Sequence, residues 1–147
     1  MKLRLQTDLA LRLLLFLSYV RRKTTIDEVA EAYGISRDHL VKVAQQLARL
    51  GFVRTQSGRG GGILLSVDPD DTTIGSVVAA VEGRQGVLEC VEAPEVCPLE
   101  PGCGLRRLLM SAEDAFYQTL ESKTLGDFAG SRARGGLQNL GLVRGED

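Results

Sequence analysis

The chain has 147 residues, 44% of them apolar, with few aromatics and no tryptophan. That suffices for one domain, or for a small domain carrying an extra long element. The formal charge of −1 is unevenly spread: residues 1–62 hold eleven Lys/Arg against five Asp/Glu, and residues 63–147 hold seven against fourteen. A basic first half and an acidic second half fit a nucleic-acid-binding unit joined to something else, or a dimer whose halves attract each other. The apolar run Leu9–Val20 contains Arg12, is too short to span a bilayer, and is followed by Arg21-Arg22-Lys23 rather than a cleavage site. A cytoplasmic protein with reduced cysteines and no membrane partner is therefore expected.

Residues Leu5–Tyr19 read as a helix, with Leu9, Leu13, Phe16 and Val20 forming an apolar stripe. Asp8 and Arg12, four apart, share a face and can pair. Thr25 is placed to cap a second helix, Ile26–Tyr33, with Glu28 completing a capping box and Gly34 ending it in a left-handed turn. Ser36 is placed to cap a third helix, Arg37–Leu50. Its expected inner face is Leu40, Val43, Ala44, Leu47 and Leu50, and its outer face carries Asp38, Lys42, Gln45 and Arg49.

Two short helices joined by a glycine-containing turn, the second polar outside, form a helix-turn-helix. The N-terminal residues of its second helix are the ones that meet base edges in the major groove. The candidate DNA readers are thus Ser36, Arg37, Asp38, His39 and Lys42, with Gln45 further along; simple solvation of that face is the competing explanation. The next stretch of chain favours DNA. Phe52-Val53-Arg54 and Ile63-Leu64-Leu65 read as strands around Ser57-Gly58-Arg59-Gly60-Gly61-Gly62, a glycine-rich wing whose Arg59 can enter a minor groove. A nucleotide-cradling loop is excluded because a β-like run, not a helix, comes after the glycines.

Asp68-Pro69-Asp70-Asp71 makes a turn, and Thr73 can cap a short helix Ile74–Glu82. The three cysteines then fall in one loop, Cys90, Cys97 and Cys103, separated by six and then five residues. Its prolines and glycine oppose helix and central strand, leaving the loop free to curl its thiols together. An odd number of cysteines argues against a disulfide framework, and gaps wider than those of zinc ribbons argue against structural zinc. An iron–sulfur cluster, a zinc ion and three unconnected thiols all remain open at this point. Gly104–Leu120 is the longest helical signal, its stripe of Leu105, Leu108, Leu109, Ala112, Ala115, Phe116 and Leu120 suited to packing on a second copy or on the chain's own core. Thr124–Ala129 adds a further turn. With one histidine, His39, already placed in the third helix, nothing supports a nucleophile–base pair, so an enzyme is not expected.

Thr7-Asp8-Leu9-Ala10-Leu11-Arg12, Gly34-Ile35-Ser36-Arg37-Asp38-His39-Leu40-Val41-Lys42-Val43, Gly58-Arg59-Gly60-Gly61-Gly62 and Cys97-Pro98-Leu99 with Cys103 together resemble the NsrR/IscR/RirA family of winged-helix regulators. The resemblance covers about residues 1–129. It implies a mainly α fold with a small β wing: a winged helix-turn-helix over 1–67, a short helix and cysteine loop over 68–104, a dimerisation helix and C-terminal helix over 105–129, and a flexible tail over 130–147. It further implies a homodimeric repressor of promoter DNA carrying a 4Fe–4S cluster, with 2Fe–2S as the lesser alternative. The ligands would be Cys90, Cys97 and Cys103 with Asp8 of the partner subunit, while Arg12 and Glu82 orient that carboxylate unless they form ordinary ion pairs. The signal would be nitric oxide, with an iron-responsive repressor as the alternative and a zinc-stapled DNA-binding protein behind it. Two departures from the family pattern stand out: Gly104-Leu105-Arg106-Arg107 lacks the histidine of one branch, and Ser57 stands where the wing usually has a basic residue.

Overall fold

The computed structural model describes residues 3–83, 86–93, 95, 97–99 and 102–130. The tail expected over 130–147 lies, apart from Gly130, outside the described residues. In chain order the elements are α1 (Leu5–Val20), α2 (Ile26–Tyr33), α3 (Arg37–Arg49), β1 (Val53–Gln56), β2 (Gly62–Leu65), α4 (Ile74–Glu82), α5 (Glu89–Glu92), α6 (Gly104–Glu121) and α7 (Leu125–Phe128). The fold is mainly helical with one small antiparallel sheet, as expected.

α1 is the axis of the core. Leu9, Leu13, Leu14, Phe16 and Leu17 are buried and pack with Leu40, Val43 and Leu47 of α3, Val77 and Val81 of α4, Ile63 of β2 and Leu125 of α7. α2 is capped by the Thr25 hydroxyl, which accepts from the Glu28 amide at 3.1 Å. The expected capping box is only half made, because the Glu28 carboxylate is drawn instead to Arg22 at 2.5 Å and to the Thr24 hydroxyl. A guanidinium is a better partner for a carboxylate than a neutral amide. Gly34 does end α2 in the left-handed conformation, with φ of 62°.

On α3, Leu40, Val43, Ala44 and Leu47 are buried as the periodicity requires. Two details differ from expectation. The side chain of Ser36 accepts no capping hydrogen bond, and Leu50 is 41% exposed. Leu50 is already the cap residue; Gly51 (φ 84°) reverses the chain, and the amide of Phe52 folds back onto the Leu47 carbonyl at 2.9 Å, so Phe52 packs against the core instead.

The wing pairs Val53 with Leu65 through to Gln56 with Gly62. β1 begins one residue later than expected and runs on through Thr55 and Gln56. Thr24, just before α2, adds a third rung by exchanging two hydrogen bonds with Ile63, at 3.0 and 2.8 Å. That contact explains Gly62, and the tightness of the wing turn explains Gly61. A Cβ on Gly62 would stand 2.6 Å from the Thr24 carbonyl, and one on Gly61 would stand 2.3 Å from the Gln56 carbonyl. Close packing of backbone on backbone requires glycine at these two positions, independently of any approach to phosphate.

Thr73 caps α4 by accepting from Ser76 at 3.0 Å, as expected. Where a loop without helix was expected, Glu89–Glu92 make one helical turn that carries Cys90; the proline-rich part of the segment begins only at Pro94. α7 returns the chain to the core. Thr124 and Asp127 form a complete capping box, Leu125 is fully buried, and the amides of Ile74 and Leu125 bond to Lys123 and Thr72 carbonyls, each at 2.8 Å.

Candidate functional site

The recognition face is solvent-facing throughout: Ser36, Arg37, Asp38, His39, Lys42 and Gln45 are all exposed, and so is Arg59 at the wing tip. Burial of the opposite stripe fixes which way this face points. Arg37 is held by Asp27 of α2 at 2.7 Å, which ties the start of α3 to the helix before it. Lys42 and Gln45 line an open cleft of about 550 Å³ together with Gln6, Gln46, Arg49 and Leu50. The cleft joins the outer face of α3 to the first turn of α1. Lys23, in the basic turn after α1, donates from Nζ to the Gly60 carbonyl at 2.5 Å and so fastens the wing tip carrying Arg59.

The cysteine segment is built differently. Cys90 sits on α5, Cys97 in the loop after it and Cys103 at the cap of α6; all three are free, half-buried thiols. The structure does not bring them to one point, for among the described residues no three His, Cys, Asp or Glu gather into a metal-holding group. Cysteine thiols bind metal as thiolates, so the negative charges that would meet at a centre are balanced only when the metal is bound. Arg106, in the first turn of α6, reaches back to α5, donating from Nε to the Cys90 carbonyl at 2.8 Å and from Nη2 to the Val91 carbonyl at 3.2 Å.

Asp8 and Arg12 do meet, at 2.9 Å on the outside of α1, each about half exposed. The guanidinium of Arg12 also lies 5.9 Å above the ring of Tyr33 at the end of α2. Glu82 is elsewhere. Its carboxylate accepts from the Arg4 amide at 2.7 Å, Arg4 Nε at 2.6 Å and the Thr7 hydroxyl at 2.5 Å, which pins the start of α1 to the end of α4. Burial pushes the Glu82 carboxyl up, but these donors outweigh it and hold it below the usual glutamate range. Sequence reading missed Arg4, Thr7 and Arg106. Thr7 within an apolar helix was the one signal available, and nothing in the spacing pointed to partners about 80 and 16 residues away.

The family model described as "Rrf2: Iron-dependent Transcriptional regulator" matches residues 3–131. The chain belongs to the Rrf2 family. It is 43% identical over 130 residues to the HTH-type transcriptional regulator NsrR of Bacillus subtilis, a match covering 86% of this chain and 89% of that one. A regulator of the same name from Geobacillus kaustophilus is 40% identical over 136 residues, covering 90% and 92%. Among solved structures, CymR (YrzC), the global cysteine regulator of B. subtilis, superposes with a TM-score of 0.72 at 25% identity, covering 88% of this chain and 96% of that one. The chain is thus a transcriptional regulator with a winged helix-turn-helix, and Rrf2 membership places it outside the enzymes. Among the described residues no helix is long and apolar enough to cross a membrane.

Proposed function

We propose that this Rrf2 regulator is a homodimeric, iron–sulfur-dependent repressor that releases promoter DNA in response to nitric oxide. The observation that carries the reading is the set of three free, half-buried thiols between α4 and α6, none tied up in a disulfide. The donor chemistry fits: soft thiolates suit an iron–sulfur centre, and three of them leave one position for a harder ligand. Cys90, Cys97 and Cys103 would hold a 4Fe–4S cluster, with Asp8 of the partner subunit as the oxygen ligand. When bound, such a cluster supplies iron open to attack by a small reactive gas at its oxygen-ligated corner.

The chain's own residues make the rest of the reading mechanical. Arg12 holds the Asp8 carboxylate from one helical turn away. Glu82 orients α1 rather than Asp8 directly, because Arg4 and Thr7 bind it across the α1–α4 junction. α1 packs on α3, so a shift at that junction is carried to the recognition helix. The dimer is inferred from α6. It buries no residue within this chain, and Leu105 and Leu108 are 60% and 66% exposed on the same face as Ala112 and Ala115. Two copies packed along α6 would present two recognition helices to a palindromic site, reading bases through Ser36, Arg37, Asp38, His39, Lys42 and Gln45 and a minor groove through Arg59. A thousandfold loss of promoter affinity needs about 4 kcal/mol between dimer geometries, within reach of a change of ligand at one interface.

The test is anaerobic purification with nitric oxide titration, read by visible absorption and by promoter binding. A brown dimer that loses its promoter as the absorption bleaches is expected, and Cys→Ser at 90, 97 or 103 should abolish both signals. A colourless protein with bound zinc, or promoter binding indifferent to the gas, would overturn it. A second reading, in which iron supply is the signal, is favoured by the family's description as iron-dependent regulators. Release of DNA on iron chelation without any response to nitric oxide would select it.

A further inference from the structure

α5 has little of its own to hold it. It is a single turn of four residues, too short for helix cooperativity, and none of its residues is buried. At its ends the turn is closed by the Val91 amide to the Leu88 carbonyl and the Ala93 amide to the Glu89 carbonyl, each at 2.9 Å. The next carbonyl, that of Cys90, has no such partner available in principle, because the residue four further on is Pro94, which carries no N–H. On one side the turn is tethered by the Glu92 carboxylate, which accepts from the Gly86 amide. On the other side stands Arg106. Its Nε and Nη2 lie on one edge of a rigid planar fork and meet two consecutive carbonyls, Cys90 at 2.8 Å and Val91 at 3.2 Å. Arg106 is three residues beyond Cys103, in the first turn of a helix of eighteen. One side chain therefore ties the backbone of the first cysteine to the element that begins at the third.

We propose that Arg106 is a positioning residue that presets Cys90 and Cys103 as a pair for the metal centre, an inference that rests on the iron–sulfur reading above. Cys97 is then the ligand that binding has to bring to that pair. The residue acts before the centre arrives: it lowers the disorder that ligand gathering must overcome, which is what preorganisation contributes to affinity. Its side chain bonds a ligand's backbone rather than the metal, and removal of such supporting groups typically weakens metal sites by about ten- to hundredfold.

Arg106→Met keeps most of the stem and deletes both donors, and Arg106→Lys restores the charge and a single donor. Arg107→Met removes the same charge one residue along, from a side chain with no hydrogen bond to α5 among the described residues. Each full-length chain is loaded anaerobically with iron and sulfide, and loss of visible absorption to an iron chelator is timed. In parallel, alkylation of each cysteine is monitored by peptide mass mapping in the metal-free chain. The clamp predicts cluster loss at least about tenfold faster in Arg106→Met, intermediate in Arg106→Lys and unchanged in Arg107→Met. It also predicts faster alkylation at Cys90 than at Cys97 relative to wild type. Wild-type rates in Arg106→Met, equal effects from Arg107→Met, or a uniform rise at all three cysteines with a lowered melting temperature would each overturn it. If the wild-type chain takes up no iron and sulfide, the iron–sulfur reading falls, and with it the role claimed for Arg106; the alkylation pattern then reports only whether the tie between α5 and α6 exists.

Discussion

α1 buries eight of its sixteen residues inside its own chain, whereas α6, two residues longer, buries none. Both carry apolar stripes at helical spacing, and both are amphipathic enough to seek a partner surface. The difference lies in what surrounds them. α1 is enclosed by α3, α4, β2 and α7, so the DNA-reading half is complete in one copy. α6 is tied down at its C-terminal end, where Gly75 of α4 allows Glu121 close enough that a Cβ would stand 2.8 Å from it, and where α7 docks. Its Leu105 and Leu108 remain uncovered beside the cysteine segment. One helix finishes a core within its own chain, and the other keeps part of its apolar stripe exposed.

That contrast can be broken by mutation. The largest effect is expected from Phe16→Ala, a cavity at the centre of the core, which should cost about 3–5 kcal/mol in urea unfolding. Leu108→Glu should leave the secondary structure intact yet weaken self-association by about 2 kcal/mol or more, read by sedimentation equilibrium, with promoter affinity falling in step. If Leu108→Glu unfolds the monomer, or leaves the association state untouched, the two helices are not as different as their burial implies. Gly61→Ala should cost about 1–3 kcal/mol, since the new methyl meets the Gln56 carbonyl, a fixed backbone atom. It should also weaken promoter binding by displacing Arg59.

The smallest effect sharpens the comparison at the α1–α4 junction. The Glu82 carboxyl is lowered despite its burial, by donors from Thr7 and Arg4, and the Glu28 carboxyl is lowered by Arg22. A group whose folded value lies below its unfolded one stabilises the fold above the unfolded value, near 4.5, and loses that contribution as pH falls through the folded one. Stability should therefore decline as the pH drops below about 4.5. Glu82→Gln should shrink that acid limb without abolishing it, because Glu28 still titrates. An acid limb identical to wild type in thermal melts across pH would show that Glu82 contributes nothing there.

The helices of the reading half were legible from their residues, and the reason is local. Apolar spacing, Thr25, Thr73 and the αL glycine at 34 act within a turn or two of the chain, so α2 begins and ends at the expected residues. Errors gathered where a distant group competes with a local one. Glu28 chose Arg22 over its capping role, and Leu50 left the inner face once Gly51 turned the chain. The candidate site was legible in its residue types and less so in its connections. Asp8 and Arg12, four apart on one helix, pair as their spacing required. Glu82, expected to orient the partner's Asp8 carboxylate or to form an ordinary ion pair, bonds Arg4 and Thr7 of its own chain, 78 and 75 residues away.

By itself the sequence determined the helix-turn-helix of this Rrf2 protein, its wing, and the gathering of three cysteines into one short segment, because hydrophobic period, turn chemistry and residue type are properties of short stretches. Only the tertiary structure decided that α6 leaves Leu105 and Leu108 exposed, that Gly61 and Gly62 answer to backbone contact, and that Arg106 ties Cys90 to the start of α6. Those facts depend on which groups meet across long separations in the chain. Such meetings are set by how the whole core closes, which no local pattern encodes.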